Sequence, residues 1–259
     1  SATISGGKTV TLEEGVKLQM QNWSDLHVSG TLEIENEVVA DGITGTGSSY
    51  ELNIYDGGKL QLKNANVIGM SRVYLNSGGR LEMTGGAWDT RERLEINAGA
   101  RASLSGVTVN DYINNYGALT MADSTVSSYI HSTGTLALQN TEVSSYISAY
   151  GSTELDKVTA QRLNVDSDRD VRTGEQGITL TGEQAIQLNG FSGNVSTLLN
   201  SIEWTATAEN AYVGVIGNMG DSTLTALPEG LSGGYKIVES NSATISGGKT
   251  VTLEEGVKL

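Results

Sequence analysis

Residues 112–151 read YINNYGALTMADSTVSSYIHSTGTLALQNTEVSSYISAYG and contain one short pattern three times. A Tyr-Ile pair and a later glycine recur at one constant spacing, at Tyr112, Tyr129 and Tyr146 and at Gly117, Gly134 and Gly151. If each such turn stacks on the previous one, equivalent residues lie about 4.8 Å apart, the distance between neighbouring strands. The pattern therefore predicts a solenoid whose inward isoleucines touch along the axis and whose glycines form the corners.

Similar segments precede and follow this stretch at less regular spacings. Most alternate apolar and polar residues, which is typical of a half-buried strand. The intervals between equivalent positions vary at first and become constant from Ala102 onward, at Leu18, Leu32, Leu60, Leu81, Ala102, Leu119, Leu136 and Thr153. A constant strand pattern with loops of variable length predicts a parallel β-helix over residues 1–166.

The segment Ser1–Leu18 returns without change as Ser242–Leu259. Such a match predicts one full unit of a tandem array followed by the start of the next unit. One hypothesis is that residues 242–259 complete the sheet of the preceding unit, with Ile245, Val251 and Leu253 as the strand-sharing residues. Separate molecules would then exchange this strand and polymerise. The alternative is that the extra residues only restore a native boundary.

Residues 167–241 have a different pattern. A charged break at 166–170 is followed by short apolar runs with turn residues between them, such as Asn218–Asp221. We expect antiparallel strands in a small β-rich, sandwich-like junction module, with a helical turn near Val195–Leu199. The predicted domains are thus a solenoid at 1–166, the junction module at 167–241 and the next repeat at 242–259.

Composition narrows the classes of partner. The net charge of −14 opposes binding to nucleic acid or to anionic lipid, because phosphate attraction requires clustered Lys and Arg. Cysteine is absent, which excludes disulfides and thiolate metal sites. No apolar run is long enough to predict insertion into a membrane.

The tyrosines are the main candidate binding residues. Tyr112, Tyr129 and Tyr146 have the opposite parity to the isoleucines, so they are expected to face outward and to contact sugar rings or a partner protein. Tyr116 and Tyr150 would widen the same surface. The alternative is a mutual aromatic ladder that fixes the register of the turns.

Asp166, Asp168 and Asp170 are the candidate metal ligands. Three carboxylates at alternate positions are typical of a Ca²⁺ loop. The loop has Val171 where such a loop has glycine and Gly177 where it has glutamate, and Arg169 would oppose a cation. A solvated acidic turn is therefore the alternative to a Ca²⁺ site, and no other cofactor is expected.

Ser-Gly-Gly turns at 5–7, 77–79, 232–234 and 246–248, combined with Gly-Gly-x-Leu-x-Leu/Met strands, resemble the passenger repeats of autotransporter-like and filamentous bacterial adhesins. The resemblance covers roughly residues 1–166, whereas such passengers usually continue for many more turns. It implies a right-handed, pectin-lyase-like parallel β-helix, secretion to a bacterial surface, and adhesion or self-association. The expected function is a structural repeat of an extracellular fibre or adhesin that acts as a stiff spacer and contacts neighbouring copies or cell-surface glycans.

Two other functions stay open. A carbohydrate-binding module or a polysaccharide-active β-helix is the first, although an enzyme is not expected because the only histidines, His27 and His131, are far apart in the order of turns. An ice-binding solenoid is the second. It would need Thr-x-Thr ladders in successive turns, and the Thr-x-Thr triplets present are not equivalent in position.

Overall fold

A computed structural model describes residues 1–46, 49–166, 170–238, 243–245, 248–255 and 257. The chain divides into two compact units, Ser1–Thr141 and Glu142–Leu259. About 60% of the residues are in strands and 4% are helical, so the fold is all-β. The units together contain about 11 turns of parallel β-solenoid and a small β module, which confirms the predicted fold class.

The first unit consists of short strands separated by tight turns. Its strands are β1 (Ala2–Ile4), β2 (Thr9–Leu12), β3 (Leu18–Gln21), β4 (Asp25–Val28), β5 (Thr31–Thr46), β6 (Glu51–Ile54), β7 (Lys59–Ile68), β8 (Arg72–Leu75), β9 (Arg80–Thr84), β10 (Ala87–Asp89), β11 (Arg93–Ile96), β12 (Arg101–Ser105), β13 (Thr108–Val109), β14 (Tyr112–Asn115), β15 (Ala118–Ala122), β16 (Thr125–Val126) and β17 (Ile130–Ser132). Strand β18 (Thr135–Ala149) begins in this unit and ends in the second.

Among the described residues of this unit, each turn contributes strands to up to three parallel sheets. Sheet 1 contains β1, β4, β6, β8, β11, β14 and β17. Sheet 2 contains β2, the start of β5 and of β7, β9, β12, β15 and the start of β18. Sheet 3 contains β3, the ends of β5 and β7, β10, β13 and β16.

The inward residues of successive turns are in register, as predicted. In sheet 2 the aligned and buried residues are Leu32, Leu60, Leu81, Ala102, Leu119 and Leu136. In sheet 1, Ile113 pairs with Ile130, and both are fully buried. Because these columns exclude water continuously from turn to turn, they form the core of the unit.

The predicted position of Leu18 in this series is wrong. Leu18 pairs with Ile43 in sheet 3, and Val10 is the residue that pairs with Leu32 in sheet 2. The first turn therefore contributes a strand to each sheet, and its Leu-x-Met segment belongs to the third. Alternation of apolar and polar residues is shared by all three sheets, so it does not identify the sheet to which a strand belongs.

Two kinds of corner close the turns. Between sheets 2 and 3 the backbone is left-handed, with φ between 45° and 66° at Asn64, Gly85, Gly106, Asp123 and Asn140. Between sheets 1 and 2, Gly57, Gly78 and Gly99 are left-handed with φ of 75°, 78° and 83°, as expected for corner glycines. Gly117 and Gly134 are not left-handed, so for these two glycines the expectation of positive φ is wrong. They are needed because the turns approach closely: a Cβ on Gly134 would lie 2.1 Å from the carbonyl oxygen of Gly117.

The second unit continues from β18 with shorter strands. They are β19 (Thr153–Val165), β20 (Val171–Thr173), β21 (Ile178–Leu180), β22 (Gln184–Asn189), β23 (Gly193–Asn194), β24 (Trp204–Ala206), β25 (Tyr212–Met219), β26 (Ser222–Leu224), β27 (Tyr235–Ile237), β28 (Ala243–Ile245) and β29 (Val251–Leu253). A helix, α1 (Val195–Ser201), and a 3-10 turn at Glu229–Leu231 complete it.

The expectation of antiparallel strands after residue 166 is wrong. β19 pairs in parallel with β20, β21 and β22, and β25 pairs in parallel with β22 and β27. The turn residues at Asn218–Asp221 lead from β25 to a strand of another sheet instead of closing a hairpin. Turn residues indicate that the chain changes direction, but they do not indicate which strand the next strand will pair with.

A small β module accompanies these turns. The second unit also contains a separate parallel sheet of β23, β26 and β29, next to which α1 begins. The side chain of Asn194 caps the helix by accepting a hydrogen bond from the N–H of Ser196, so the predicted helical turn is confirmed. The division of the chain at residues 166 and 241 stays a prediction.

Candidate functional site

One outward-facing column of sheet 1 consists of charged and aromatic side chains. Each member directly precedes the first inward residue of its strand. The members are Asp25, Glu51, Arg72, Arg93, Tyr112 and Tyr129. We call this series the sheet 1 column. It places carboxylates, guanidinium groups and phenol rings in order along a single face of the unit.

Tyr112 and Tyr129 form the aromatic end of the sheet 1 column. Their ring centroids are 4.7 Å apart and their planes differ by 19°, so the rings stack. Both are half-buried, whereas the following residues Ile113 and Ile130 are fully buried. The opposite parity of Tyr and Ile therefore holds in these turns, while the role of the tyrosines as binding residues stays a prediction.

Arg93 links the aromatic end to the charged part of the column. Its Nε donates to Oε2 of Glu95 at 2.6 Å. The hydrogen bond to Glu95, followed by one to Tyr112, raises the pKa of the Arg93 guanidinium above its ordinary value. The residue next to Tyr112 in the column is therefore an arginine held by Glu95, and the tyrosine stack ends there.

Tyr116 belongs to a different contact. Its ring meets that of His131 edge to face, with centroids 6.4 Å apart and an angle of 64°. Burial lowers the pKa of His131. Tyr116, which directly follows β14, thus forms an aromatic pair with His131, and its predicted role in widening the tyrosine surface stays a prediction.

Tyr146 and Tyr150 lie in the second unit, where each has a polar partner. The guanidinium of Arg162 lies 4.9 Å from the ring centroid of Tyr146, a cation–π contact. Burial raises the pKa of Tyr146 and lowers the pKa of Arg162. The hydroxyl of Tyr150 accepts a hydrogen bond from Nδ2 of Asn189 at 3.0 Å. Both tyrosines therefore make contacts within the fold, whatever they bind at the surface.

A cleft at the carboxylate end of the sheet 1 column was not predicted from the sequence. Its volume is about 440 Å³, and its lining includes Trp23, Asp25, Tyr50, Glu51, Arg72 and Glu92. The side chain of Trp23 is 81% exposed, and its backbone φ is 63°. The backbone N–H of Trp23 donates to the carbonyl of Ser49 at 2.9 Å. A large exposed ring is thus held in a strained backbone conformation beside a polar cleft.

Arg72 organises the charges of this cleft. Its Nε donates to both carboxylate oxygens of Glu92, at 3.0 and 3.2 Å, and its Nη1 lies 3.5 Å from Oε1 of Glu51. The hydrogen bond to Glu92 is the largest cause of the raised pKa of Arg72. The wall of the cleft is formed by Tyr50, which is fully buried and donates its hydroxyl to the carbonyl of Gly69 at 2.6 Å.

This combination suits a neutral, hydroxyl-rich ligand. The exposed face of Trp23 can stack on the C–H face of a pyranose ring. The carboxylates of the cleft can accept hydrogen bonds from sugar hydroxyls, and the guanidinium group can donate hydrogen bonds to them. The signal in the sequence was weak because Asp25, Glu51 and Arg72 are far apart in the chain and unequally spaced. Aligning the irregular first turns on sheet 1 would have brought them together.

The aspartate cluster is only partly described. Asp168 lies outside the described residues. Oδ1 of Asp170 accepts a hydrogen bond from Nε of Arg172 at 2.7 Å, an exposed ion pair. Within the part of the chain that the structure describes, no three His, Cys, Asp or Glu side chains lie close enough to hold a metal ion. A Ca²⁺ site at Asp166, Asp168 and Asp170 stays a prediction.

The strand-sharing residues lie at the edge of the second unit. Ile245 pairs with Met219, Val251 with Ser222 and Leu253 with Leu224, all in parallel register. Ile245 and Leu253 are exposed although their partners Met219 and Leu224 are buried. The duplicated segment is thus paired with the residues that precede it in the chain.

No family model, curated protein or solved structure matches this chain. Among the described residues, no helix combines the length and the apolar character needed to cross a membrane. We therefore argue the function from the geometry of the chain itself.

Proposed function

We propose that this chain is a structural repeat of an extracellular bacterial fibre or adhesin, exposed at the cell surface. In that role it is a stiff spacer that also presents a multivalent contact surface. The Ser-Gly-Gly turns and Gly-Gly-x-Leu strands further favour the autotransporter-like or filamentous class of adhesin.

The observation that carries this proposal is the structure of the duplicated segment. As Ser1–Leu18 it pairs with the turn that follows it, and as Ser242–Leu259 its described strands pair with the turn that precedes it. A segment with a sheet partner on either side suits a solenoid that continues from one repeat into the next. Repetition of this kind adds reach and avidity, which are useful in a fibre.

Local packing supports the role of spacer. In the first unit, the apolar columns of all three sheets are buried and in register, and each turn is bonded to its neighbours along several strands. Bending such a unit would separate hydrogen-bonded strands on one side, which makes it resistant to bending.

Electron microscopy of chains with one, two and four consecutive repeats tests the spacer role. We expect each added repeat to lengthen the particle by a constant increment, with a narrow distribution of angles at the junctions. Beads that are freely jointed at the repeat boundary would contradict a stiff spacer. Antibody labelling of intact cells that make the protein tests its location, and labelling only after permeabilisation would contradict surface exposure.

The Trp23 cleft favours saccharide binding as a second function. We expect binding of neutral glycans to weaken at least about tenfold in Trp23→Ala, because the stacking surface is lost. Val38→Ala, at another exposed apolar side chain, is the matched control. Chains with four repeats should bind an immobilised glycan more tightly than single repeats. Equal glycan binding by Trp23→Ala and Val38→Ala would reject the cleft as the site.

A further inference from the structure

We propose that copies of this chain join by sharing one coil, so that the segment Ser1–Leu18 of a second copy takes the place of β28 and β29 against β25 and β26. We call this duplicated segment the shared coil. This inference rests on the proposed tandem arrangement and specifies its partner, which is a second copy of this chain in a defined register.

The backbone of the shared coil has two different hydrogen-bonding edges. In the first copy, the carbonyl of Lys8 accepts from the N–H of Thr31 at 2.8 Å, on the side of the following turn. In the second copy, the carbonyl of Thr250 accepts from the N–H of Ser222 at 3.0 Å, on the side of the preceding turn. Thr250 corresponds to Thr9, so the carbonyls of the adjacent residues 8 and 9 accept hydrogen bonds from opposite sides of the coil. One coil can therefore pair with a following turn and a preceding turn at the same time.

The exposed side chains of the two copies are complementary. Ile4 is 8% exposed beneath β4, whereas the identical Ile245 is 56% exposed beside Met219. Val10 is 41% exposed although its partner Leu32 is buried, and Leu253 is 45% exposed although its partner Leu224 is buried. A single coil between β25–β26 of one copy and β4–β5 of the next would be covered on both sides, which removes apolar surface from water.

Charge distinguishes this register from simple stacking of two ends. Placing Ser242–Leu259 of one copy directly on Ser1–Leu18 of another would set identical residues opposite each other, including Lys249 against Lys8 and Glu254 against Glu13. In the shared arrangement the lysine instead meets Asp221, as Lys249 does now with its Nζ 3.0 Å from Oδ2 of that residue. Like-charge repulsion thus disfavours the end-on stack and leaves the shared coil.

The register of the junction follows from the existing pairs. Because Ser242 corresponds to Ser1, Met219 would pair with Ile4 of the second copy, Ser222 with its Val10, and Leu224 with its Leu12. Thr223 would lie next to Thr11 of the second copy, at a strand spacing of about 4.8 Å that a disulfide can bridge. The chain has no native cysteine to interfere with such a cross-link.

The test uses the full chain with Ile245→Asp and Leu253→Asp, which release its own last coil. We expect this variant to form head-to-tail oligomers, with a rise of about twofold or more in weight-average mass on concentration, as mass action requires. In the same background, Thr11→Cys with Thr223→Cys should form disulfides between molecules. Thr11→Cys with Thr120→Cys is the control for random cross-linking, because Thr120 is exposed in an unrelated turn.

Adding Val10→Asp should abolish the oligomers, because a carboxylate would be buried at the junction, whereas adding Val38→Asp gives the same charge without this effect. Ile245→Ser with Leu253→Ser serves as a milder release variant. A folded release variant that stays monomeric, equal assembly with Val10→Asp and Val38→Asp, or unfolding of the whole chain by both release variants would overturn coil sharing. None of these results would bear on the spacer length or cell-surface location tested above.

Discussion

At the scale of single residues, the corners specify where each turn ends. The left-handed corner between sheets 2 and 3 is occupied by Asn64, Asp123 and Asn140 or by glycine. Glycine has no Cβ to clash in this region, and Asn and Asp tolerate it better than other residues. The corner between sheets 1 and 2 is left-handed at Gly57, Gly78 and Gly99, and it also requires space for the carbonyl of the preceding turn.

Gly134→Ala tests the close approach at this second corner. The added Cβ would lie 2.1 Å from the carbonyl oxygen of Gly117, so the backbone must move. We expect the free energy of unfolding to fall by about 2–3 kcal/mol in denaturant titrations. Gly6→Ala is the matched control, because its nearest atom, the Ser29 carbonyl oxygen, is 3.7 Å away, and its effect should stay within about 0.5 kcal/mol. Equal effects of the two substitutions would contradict the steric explanation.

Because Tyr235 is buried with a raised pKa, we expect the protein to lose stability at alkaline pH. Tyr235 is buried, it donates its hydroxyl to the carbonyl of Thr225 at 2.9 Å, and burial raises its pKa to about 12. Since the unfolded pKa is about 10, the folded state keeps a proton that the unfolded state releases. The stabilisation is therefore complete below pH of about 10 and is lost as the pH rises towards 12.

Unfolding of Tyr235→Phe as a function of pH measures this contribution. Between pH of about 10 and 12 the variant should lose less stability than the unsubstituted chain, because it has no phenol to ionise. Tyr55→Phe, at a partly exposed tyrosine, should follow the unsubstituted chain. Parallel pH profiles for all three proteins would show that Tyr235 does not titrate as described.

At the scale of elements, the stacking of Tyr112 on Tyr129 is one of the contacts that join the turn of β14 to the turn of β17. A double-mutant cycle with Tyr112→Ser and Tyr129→Ser should give a coupling energy of about 0.5–1.5 kcal/mol in unfolding experiments. Tyr112→Ser combined with Tyr55→Ser is the control, because Tyr55 contacts His27 in a distant turn and should show no coupling. No coupling between Tyr112 and Tyr129 would mean that the stack does not fix the register of the turns.

The regular strands were predictable from sequence because their spacing is constant. That constant step placed Tyr112 on Tyr129 and Ile113 on Ile130 without further information. Leu18 was assigned to the wrong sheet because the alternation of apolar and polar residues is the same in all three. The strands after residue 166 were given the wrong direction because a turn does not reveal whether the chain reverses or passes to another sheet.

The Trp23 cleft could not be predicted for a related reason. Its residues belong to turns of unequal length, and only the register of β4, β6 and β8 brings Asp25, Glu51 and Arg72 into one column. The alignment of Tyr146 with Tyr129 stays a prediction, and the contact of Tyr146 with Arg162 could not be predicted because it depends on the register of turns that have no common period. Site prediction from sequence was thus possible only where the repeat was regular.

At the scale of the whole molecule, the duplicated segment connects the sequence to the proposed function. Its first copy is bonded to β4 and β5, and its second copy to β25 and β26. One sequence therefore has two sets of partners, and they use opposite edges of the same strands. In an array whose period runs from Ser1 to Ser242, each copy of the segment would use both sets at once.

The structure of a chain with two consecutive repeats is the measurement that tests this account most directly. We expect the duplicated segment between the repeats to lie about 4.8 Å from a strand on each side, with the valine corresponding to Val10 and Val251 buried between Ser222 of the first repeat and Leu32 of the second. A segment that pairs on one side only, or that leaves this valine exposed between two separate solenoids, would contradict the account.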